Sequence, residues 1–447
     1  MNDAFARALG VEVVEAHLLA GGASKEAWAV DTADGRELLV RRALGGVIHM
    51  DTLSLEDEHE MLVAAREAGV RAPEPAGYLG DVDGREAFAM ARVRGETIGR
   101  RIVKDPPPGL ALQMAAELAR IHAIPAERVP FLPWPDLFGR LLEELDAVGE
   151  PHPAIEYGIA WCRRRLPLER TPVVSHGDFR IGNIAVDEQG LASVLDWEFA
   201  KVSDPLEDLA WPLVRAWRFG ADELRVGGVD VLEPYVARYE ELTGLDVPRD
   251  ELDAWEVLGN CKWAIGALNQ ARRHLSGEER SVELAILGRL AVEMEWELLD
   301  LIARASPGSA PADPGRAKIP EGVRLAAASH GSAEAGATPS HDSRPLACDR
   351  PSAGELAAAV HHFLEHEVLP GLDDQRMRFR TLVAMNALTI VERESPPPEK
   401  AHPARVALSH RLRSGDLRDD DLGALGQDVE ARLQVASPRF LERVGRA

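Results

Sequence analysis

The segment from Val173 to Trp211 constrains the fold of this chain more than any other part. It reads VVSHGDFRIGNIAVDEQGLASVLDWEFAKVSDPLEDLAW. Its first two apolar residues predict a short strand, and the loop HGDFRIGN follows. IAV then predicts a second strand, Gly190 a turn, and Ala192–Leu195 a returning strand. Such a hairpin would bring Asp196 back beside Asn183.

Three side chains of this segment have the chemical types that phosphoryl transfer requires: Asp178, Asn183 and Asp196. The reaction needs a carboxylate that orients and deprotonates the attacking hydroxyl, and oxygen ligands for Mg²⁺ on the phosphates. The alternative is that HGD is a simple turn and that the aspartates are helix caps or solvated. Asp204 and Asp208 are interpreted as scaffold residues that hold the loop.

The segment resembles protein kinases, which carry H-R-D-x-x-x-x-N and D-F-G, and more closely the aminoglycoside phosphotransferase family, which carries HGD and DWE. The resemblance implies an α+β, bilobal protein-kinase-like fold, with ATP and Mg²⁺ as cofactors. It implies Asp178 as the base and Asn183 and Asp196 as metal ligands. Arg180 stands where protein kinases often have a lysine near the transferred phosphate. A surface arginine paired to an acidic neighbour is the alternative.

Upstream, the pattern predicts three strands joined by a glycine turn and an Asp-Gly turn. The first turn contains Gly21, Gly22 and Ser24, and its backbone amides could approach phosphates closely. An ordinary turn is the alternative. Another strand, AFAMARV, resembles the kinase hinge, where backbone groups from Met90 to Val93 would hold the adenine; an edge strand is the alternative.

Arg41 occupies the strand position at which kinases keep a lysine for the α- and β-phosphates. Arginine keeps the charge with a different geometry. Because side chains alternate along a strand, Arg42 is expected on the opposite face. Glu58, in the predicted helix 54–68, is the candidate partner of Arg41, with Glu56 and Glu60 as rivals.

The motifs GGASKEAW, LVRRA and EHEML, with those above, are similar to the subgroup of this family associated with acyl-CoA dehydrogenases. In that subgroup an arginine replaces the strand lysine. The resemblance covers about residues 10–304 and implies a hydroxylated acyl-CoA-type substrate. The end of the chain, with RLQVASPRFL, resembles a helical domain of unknown function found with these phosphotransferases.

Composition divides the chain into three zones. Residues 1–305 form the predicted kinase-like domain, with an antiparallel-sheet N-lobe to about residue 95 and a helical C-lobe after it. Residues 306–350 are rich in Ala, Gly, Ser and Pro and predict a flexible linker. Residues 351–447 carry four amphipathic patterns and predict an all-α domain.

The net charge of −23 makes a nucleic-acid partner unfavourable. Three scattered cysteines, Cys162, Cys261 and Cys348, fit a reducing compartment. The first residues do not read as a secretory signal, and no run is apolar enough to span a membrane. We therefore expect a cytoplasmic protein with a small-molecule hydroxyl substrate, and a possible partner enzyme for its C-terminal helices.

The acceptor remains open between three hypotheses: a hydroxyacyl-CoA or related metabolite, an aminoglycoside, or no efficient acceptor in a nucleotide-binding scaffold. An anionic acyl-CoA would favour arginines and an apolar channel. The chain offers basic and aromatic residues for it: Arg163–Arg165, Arg272–His274, Trp255, Trp263 and Trp296. The alternative is a solvated helix face and a tryptophan-containing core.

Overall fold

The structure is a computed structural model of the chain. It describes residues 1–19, 25–43, 52–167, 169–279, 282–305, 357, 360–393 and 401–445. Contacts divide the chain into two units. The first contains residues 1–143 and 158–262, and the second contains residues 144–157 and 263–447. This division groups residues 263–305 with the C-terminal helices, and the domain boundaries given above stay a prediction.

A five-stranded antiparallel sheet begins the first unit, with strand order β1-β2-β3-β5-β4. Its elements in chain order are α1 (Asn2–Leu9), β1 (Val13–Leu18), β2 (Lys25–Thr32), β3 (Glu37–Ala43), α2 (Leu55–Glu67), β4 (Pro75–Asp81) and β5 (Glu86–Ala91). This sheet is the small lobe that the sequence predicted, with α1 and β4 added.

The alternation of β3 separates its two arginines. Leu38, Val40 and Arg42 point to the face that packs with Phe5 of α1, and all four are buried. Arg42 is satisfied there by the Val82 carbonyl, at 3.0 Å from its Nε. Arg41 therefore lies on the other face of the sheet, as the sequence predicted.

Helix α2 carries Glu58, the candidate partner of Arg41 on that face of the sheet. Ser54 caps the helix, since its hydroxyl accepts a hydrogen bond from the Asp57 amide at 3.0 Å. Met61 and Leu62, on the predicted apolar stripe, are buried, and Glu58 is also buried at 2% exposure. A fully buried glutamate requires a cation or several donors nearby.

The rest of the first unit is mostly helical and contains two small antiparallel strand pairs, β6–β9 and β7–β8. The elements that follow β5 are α3 (Gly99–Lys104), α4 (Leu110–His122), α5 (Leu137–Val148), α6 (Pro153–Arg163), β6 (Val173–Ser175), β7 (Ile184–Asp187), β8 (Gly190–Val194), β9 (Lys201–Ser203), α7 (Pro205–Ala210), α8 (Leu232–Thr243) and α9 (Arg249–Leu275). Helices α5, α6 and α9 contribute residues to both units. The predicted hairpin is β7–β8.

The described helices of the second unit are α10 (Val282–Ala305), α11 (Gln375–Arg393), α12 (Ala401–Arg413), α13 (Asp421–Ala436) and α14 (Pro438–Val444). Helix α10 packs against α11 and α13. Arg432 of α13 pairs with Glu295 of α10, which is 1% exposed. The C-terminal region is helical, as predicted, although Leu356 of its first pattern lies outside the described residues. No described helix is long and apolar enough to cross a membrane.

Candidate active site

The backbone of the HGD loop is fixed by a buried carboxylate. Asp208, at the start of α7, accepts hydrogen bonds from the His176 amide at 2.6 Å and from the Gly177 amide at 2.9 Å. Gly177 has φ +79°, and a Cβ there would lie 2.1 Å from the Phe199 carbonyl oxygen. Only glycine fits this position.

Asp208 keeps its charge in this buried place. Burial alone would raise the pKa of Asp208, but His122, whose Nε2 lies 3.5 Å from the carboxylate, and His176 lower it to about 2. Asp204 caps α7 by accepting from the Leu206 amide at 2.8 Å. Both aspartates thus hold the loop and α7, as the sequence analysis interpreted them.

The His176 ring joins the loop to the DWE segment. Its Nε2 lies 3.0 Å from the Leu195 carbonyl oxygen, and its Nδ1 accepts from the Asp178 amide at 3.3 Å. The ring packs against Trp197, with centroids 4.7 Å apart. With both nitrogens engaged, His176 is placed to orient the two segments rather than to carry a proton.

Asp178 receives three donors. Asn183 Nδ2 donates to its Oδ2 at 2.6 Å, and Trp211 Nε1 donates to its Oδ1 at 2.6 Å. Arg180 Nε lies 3.1 Å from Oδ1. The carboxylate is thus held in one orientation with an arginine beside it, and its side chain keeps 13% exposure. This geometry suits a group that must meet a hydroxyl in a defined direction.

The β7–β8 hairpin brings the two expected metal ligands together. The Leu195 amide donates to the Asn183 carbonyl at 2.8 Å, which places Asp196 next to Asn183. Asp196 has φ +64°, in the left-handed region that non-glycine residues rarely occupy. Such a conformation costs about 1–3 kcal/mol and is typical of functional sites.

Arg41 is surrounded by carboxylates. Its Nη1 donates to Glu58 at 2.7 Å and to Asp196 at 2.8 Å, and its Nη2 donates to Glu198 at 3.3 Å. Lys25 Nζ lies 2.7 Å from Glu58 and 3.2 Å from Glu198. The structure thus places Glu58, and not its rivals 56 and 60, against Arg41.

These contacts shift the pKa values of the cluster. Burial alone would lower the pKa of Arg41, but Glu58, Asp196 and Glu198 raise it above its usual value. Burial alone would raise the pKa of Asp196, but Arg41 lowers it. Burial, with the neighbouring Asp196, raises the pKa of Glu198. Asp196 is therefore better suited than Glu198 to remain ionised.

The donor set fits a hard divalent cation. Asn183 uses its Nδ2 on Asp178, so its Oδ1 remains an acceptor. Asp196 accepts the hydrogen bond of Arg41 on Oδ1, and about a third of its side chain is exposed. Mg²⁺ needs only one or two such oxygens beside phosphate and water. Among the described residues no cluster of three or more His, Cys, Asp or Glu side chains could hold a metal.

The predicted hinge follows β5. The Ala91 amide donates to Glu74 at 2.7 Å and the Arg92 amide donates to Glu37 at 2.9 Å, while Met90 is buried. Within the described part of the chain, Val93 makes no backbone hydrogen bond. Its amide and carbonyl fit the role expected of a hinge. The predicted phosphate turn with Gly21, Gly22 and Ser24 lies outside the described residues.

Five residues that sequence reasoning missed also line the site: Lys25, Glu198, Trp211, Trp217 and Lys262. Lys262 Nζ donates to the Gly177 carbonyl at 3.0 Å and lies 4.6 Å from the Trp211 ring. The guanidinium of Arg180 lies 4.2 Å from the Trp217 ring. Burial and the nearby Lys201 lower the pKa of Lys262. The second acid of DWE was the available signal for Glu198.

The arginines and tryptophans considered above for binding an acyl group contact other residues of their own structural unit. These are Arg163 over Phe138, Arg165 over Trp161, Arg273 with Glu279, and Trp296 against Phe440. Trp255 is buried. This fits the alternative of a helix face and a core, so these residues carry no substrate argument.

A model of the phosphotransferase enzyme family matches residues 15–250, which is more than half of the chain. The chain belongs to this family. It is therefore a phosphotransferase of the aminoglycoside-kinase type, an enzyme class that phosphorylates hydroxyl groups of small molecules. The family resemblance and the enzyme class expected from the sequence are confirmed.

Two relatives illustrate the match. Acyl-CoA dehydrogenase family member 10 of Mus musculus is 24% identical over 409 residues, covering 78% of this chain and 36% of that protein. An aminoglycoside 3'-phosphotransferase of Escherichia coli is 25% identical over 245 residues, covering 50% of this chain and 81% of that protein. The chain thus spans about a third of the length of the acyl-CoA dehydrogenase relative.

Among solved structures, one provisionally assigned as an aminoglycoside phosphotransferase of Ralstonia eutropha superposes with a TM-score of 0.54 at 19% identity. The match covers 66% of this chain and 96% of that chain. At this identity the likeness shows the fold. It confirms the bilobal, kinase-like fold class expected from the sequence.

Proposed function

We propose that this chain transfers the γ-phosphoryl group of MgATP to the hydroxyl of a small anionic metabolite, with a hydroxyacyl-CoA as the first candidate. One observation carries the proposal. Asn183 donates to Asp178, the β7–β8 hairpin brings Asp196 back beside Asn183, and Arg41 joins Asp196 to Glu58. Phosphoryl transfer requires little more than such positioning and electrostatic stabilisation.

On the nucleotide side, Arg41 and Glu58 supply the ion pair that kinases need for the phosphates. Asn183 and Asp196 would hold Mg²⁺, which would neutralise charge on the phosphates when it is bound. Backbone groups from Met90 to Val93 would hold the adenine. The open backbone positions of Val93 support this assignment.

On the acceptor side, Asp178 is proposed to accept the proton of the attacking hydroxyl. Trp211 and Asn183 fix its carboxylate by hydrogen bonds of 2.6 Å each. Arg180 beside it is proposed to stabilise negative charge that develops on the phosphoryl oxygens. Its stacking on Trp217 holds the guanidinium in that place.

The charges around Asp178 favour an anionic acceptor. Arg180 contacts the carboxylate directly, and Lys262 reaches the carbonyl of the preceding residue. Trp217 adds partly exposed apolar surface, and its ring centroid lies 5.5 Å from that of the buried Trp211. Two cations and a partly exposed indole suit an anionic, partly apolar molecule better than a polycation. The similarity to acyl-CoA dehydrogenase family proteins points to a hydroxyacyl-CoA.

An aminoglycoside is the second candidate acceptor, because of the similarity to an aminoglycoside 3'-phosphotransferase. The two candidates differ in charge, so one panel separates them. Purified protein with MgATP is offered hydroxyacyl-CoAs, free hydroxy acids and aminoglycosides, and ATP consumption is measured. Turnover of aminoglycosides without turnover of the anionic compounds would refute the anionic acceptor.

The cationic residues give a sharper test. Lys262→Gln should raise KM for an anionic acceptor several-fold and leave KM for ATP unchanged. Arg165→Gln is the matched control, because it removes an exposed cation that stacks on Trp161. Equal effects of the two substitutions on the acceptor KM would show that Lys262 has no part in acceptor binding.

A further inference from the structure

A second cation stands beside Arg41, on the neighbouring strand. The β2–β3 register pairs Ala27 with Arg41 and Lys25 with Ala43. Lys25 and Arg41 therefore lie on the same face of the sheet, because residues two apart on a strand share a face. The lysine is the first residue of β2 and follows Gly21, Gly22 and Ser24 in the sequence.

Lys25 is buried among acidic groups. Its Nζ lies 2.7 Å from Glu58 Oε2 and 3.2 Å from Glu198 Oε2, and its side chain is 10% exposed. Withdrawing an ammonium group from water costs several kcal/mol unless its partners compensate. Glu58 already has Arg41 as a partner at 2.7 Å. Arg41 also pairs with Glu198 at 3.3 Å, so both carboxylates beside Lys25 already have a cationic partner.

The two cations are used differently. Arg41 donates from Nη1 to Glu58 and Asp196, and from Nη2 to Glu198. Lys25 directs two of its three N–H donors at Glu58 and Glu198, which leaves one donor. The planar guanidinium of Arg41 thus holds three carboxylates, whereas Lys25 is a compact charge that keeps one N–H donor available among the described residues.

The formal charges of the cluster agree with these different roles of Arg41 and Lys25. Two cations and three carboxylates give the cluster a formal charge of −1. A divalent cation on Asp196 would turn this into +1, which suits a polyphosphate. Without Lys25 the same cluster would be neutral with the metal bound.

We propose that Lys25 is a direct ligand of the nucleotide phosphates, and that Arg41 is a positioning residue that holds Glu58, Asp196 and Glu198. The phosphate-binding lysine is thereby supplied by β2, while β3 carries the arginine. This inference rests on the proposed function, since it assumes that the site takes a nucleotide.

The test is a series of nucleotides titrated calorimetrically into the full chain. Lys25→Met should weaken binding of MgADP and MgATP by about 10- to 100-fold, the loss of one hydrogen bond to a charged group. Its affinity for adenosine should match wild type. Lys25→Arg should recover part of the loss. Arg36→Met is the control, because it removes a half-exposed cation that pairs with Asp34 in the turn between β2 and β3.

Two results would overturn the inference. One is an affinity for MgADP unchanged by Lys25→Met; the other is an equal loss for adenosine and MgADP, which would make Lys25 a purely structural residue. If Lys25→Met does not fold, Lys25→Gln keeps a donor for Glu58 and is judged by the same comparison. A wild-type protein that binds none of these ligands would refute the proposed function itself, and this inference with it.

Discussion

Asp208→Ala should damage the catalytic loop through its backbone, without touching any group that meets substrate. The carboxylate of Asp208 accepts from the His176 and Gly177 amides and is 1% exposed. The substitution therefore strands two buried N–H groups directly before Asp178.

The cost follows from these two donors. Each buried polar group without a partner costs about 1–3 kcal/mol, so the pair costs about 2–6 kcal/mol. This is a large part of the 5–15 kcal/mol that stabilises a typical domain. The loop can lower the cost by moving its amides toward water, and that movement would displace Asp178. We expect lower stability together with loss of turnover.

Asp204→Ala provides the matched control. Asp204 also belongs to the start of α7, but it caps the Leu206 amide and pairs with Arg170. Its loss should cost about 0.5–2 kcal/mol for the cap. Unfolding in denaturant and ATP consumption, measured where both variants are folded, separate the two. Equal stability and equal turnover of the two variants would refute the assigned role of Asp208.

The same residue makes a prediction about acid. Its folded pKa of about 2 lies below the ordinary 3.8, so the stabilising contribution is complete above about pH 4 and is lost as the pH falls through 2. The difference corresponds to about 2 kcal/mol. Between pH 4 and pH 2 the wild type should lose about that much more stability than Asp208→Asn. Parallel pH profiles of the two proteins would contradict this linkage.

Three further perturbations test the site and the second unit. Asp178→Asn should keep nucleotide affinity and lower kcat by about 10²–10⁴-fold, checked by calorimetry and ATP consumption. Asp196→Ala should remove the Mg²⁺-dependent part of nucleotide binding; equal affinities with Mg²⁺ present would count against it. Arg432→Ala leaves Glu295 buried without its arginine and should destabilise the second unit by about 3–5 kcal/mol in denaturant unfolding. The control, Arg418→Ala, breaks an exposed pair with Asp416 in the same unit and should cost about 1 kcal/mol or less.

Elements with a strong local signal were predicted from the sequence. Strands β2 and β3 alternate and are bounded by turn residues, and α2 has both a cap and an apolar stripe. Strand β4 was missed because PAGYLGD contains one proline and two glycines, which disfavour strands. Strand β9 has only three residues and owes its structure to pairing with β6.

The residues of the candidate site also differ in whether they have a local sequence signal. The proximity of Asn183 and Asp196 could be predicted because one hairpin joins them, and Asp178 precedes Asn183 by five positions in the same loop. Lys25 and Lys262 could not be predicted, because they are distant in sequence from the residues that they contact. Lys262, for example, contacts Gly177, 85 positions earlier. Charged residues make up 28% of the sequence, so a single lysine gives no local signal.

The net charge of −23 also says little about the acceptor, although it was the plainest electrostatic feature of the sequence. At physiological ionic strength the potential of exposed charges decays over about 8–10 Å. In the proposed function the groups that meet the acceptor at Asp178 are Arg180 and Lys262, which are partly buried and therefore screened less. The acidic remainder of the chain acts mainly on the rate of encounter. If the acceptor is anionic, as proposed, its selection depends on these two side chains more than on the overall charge.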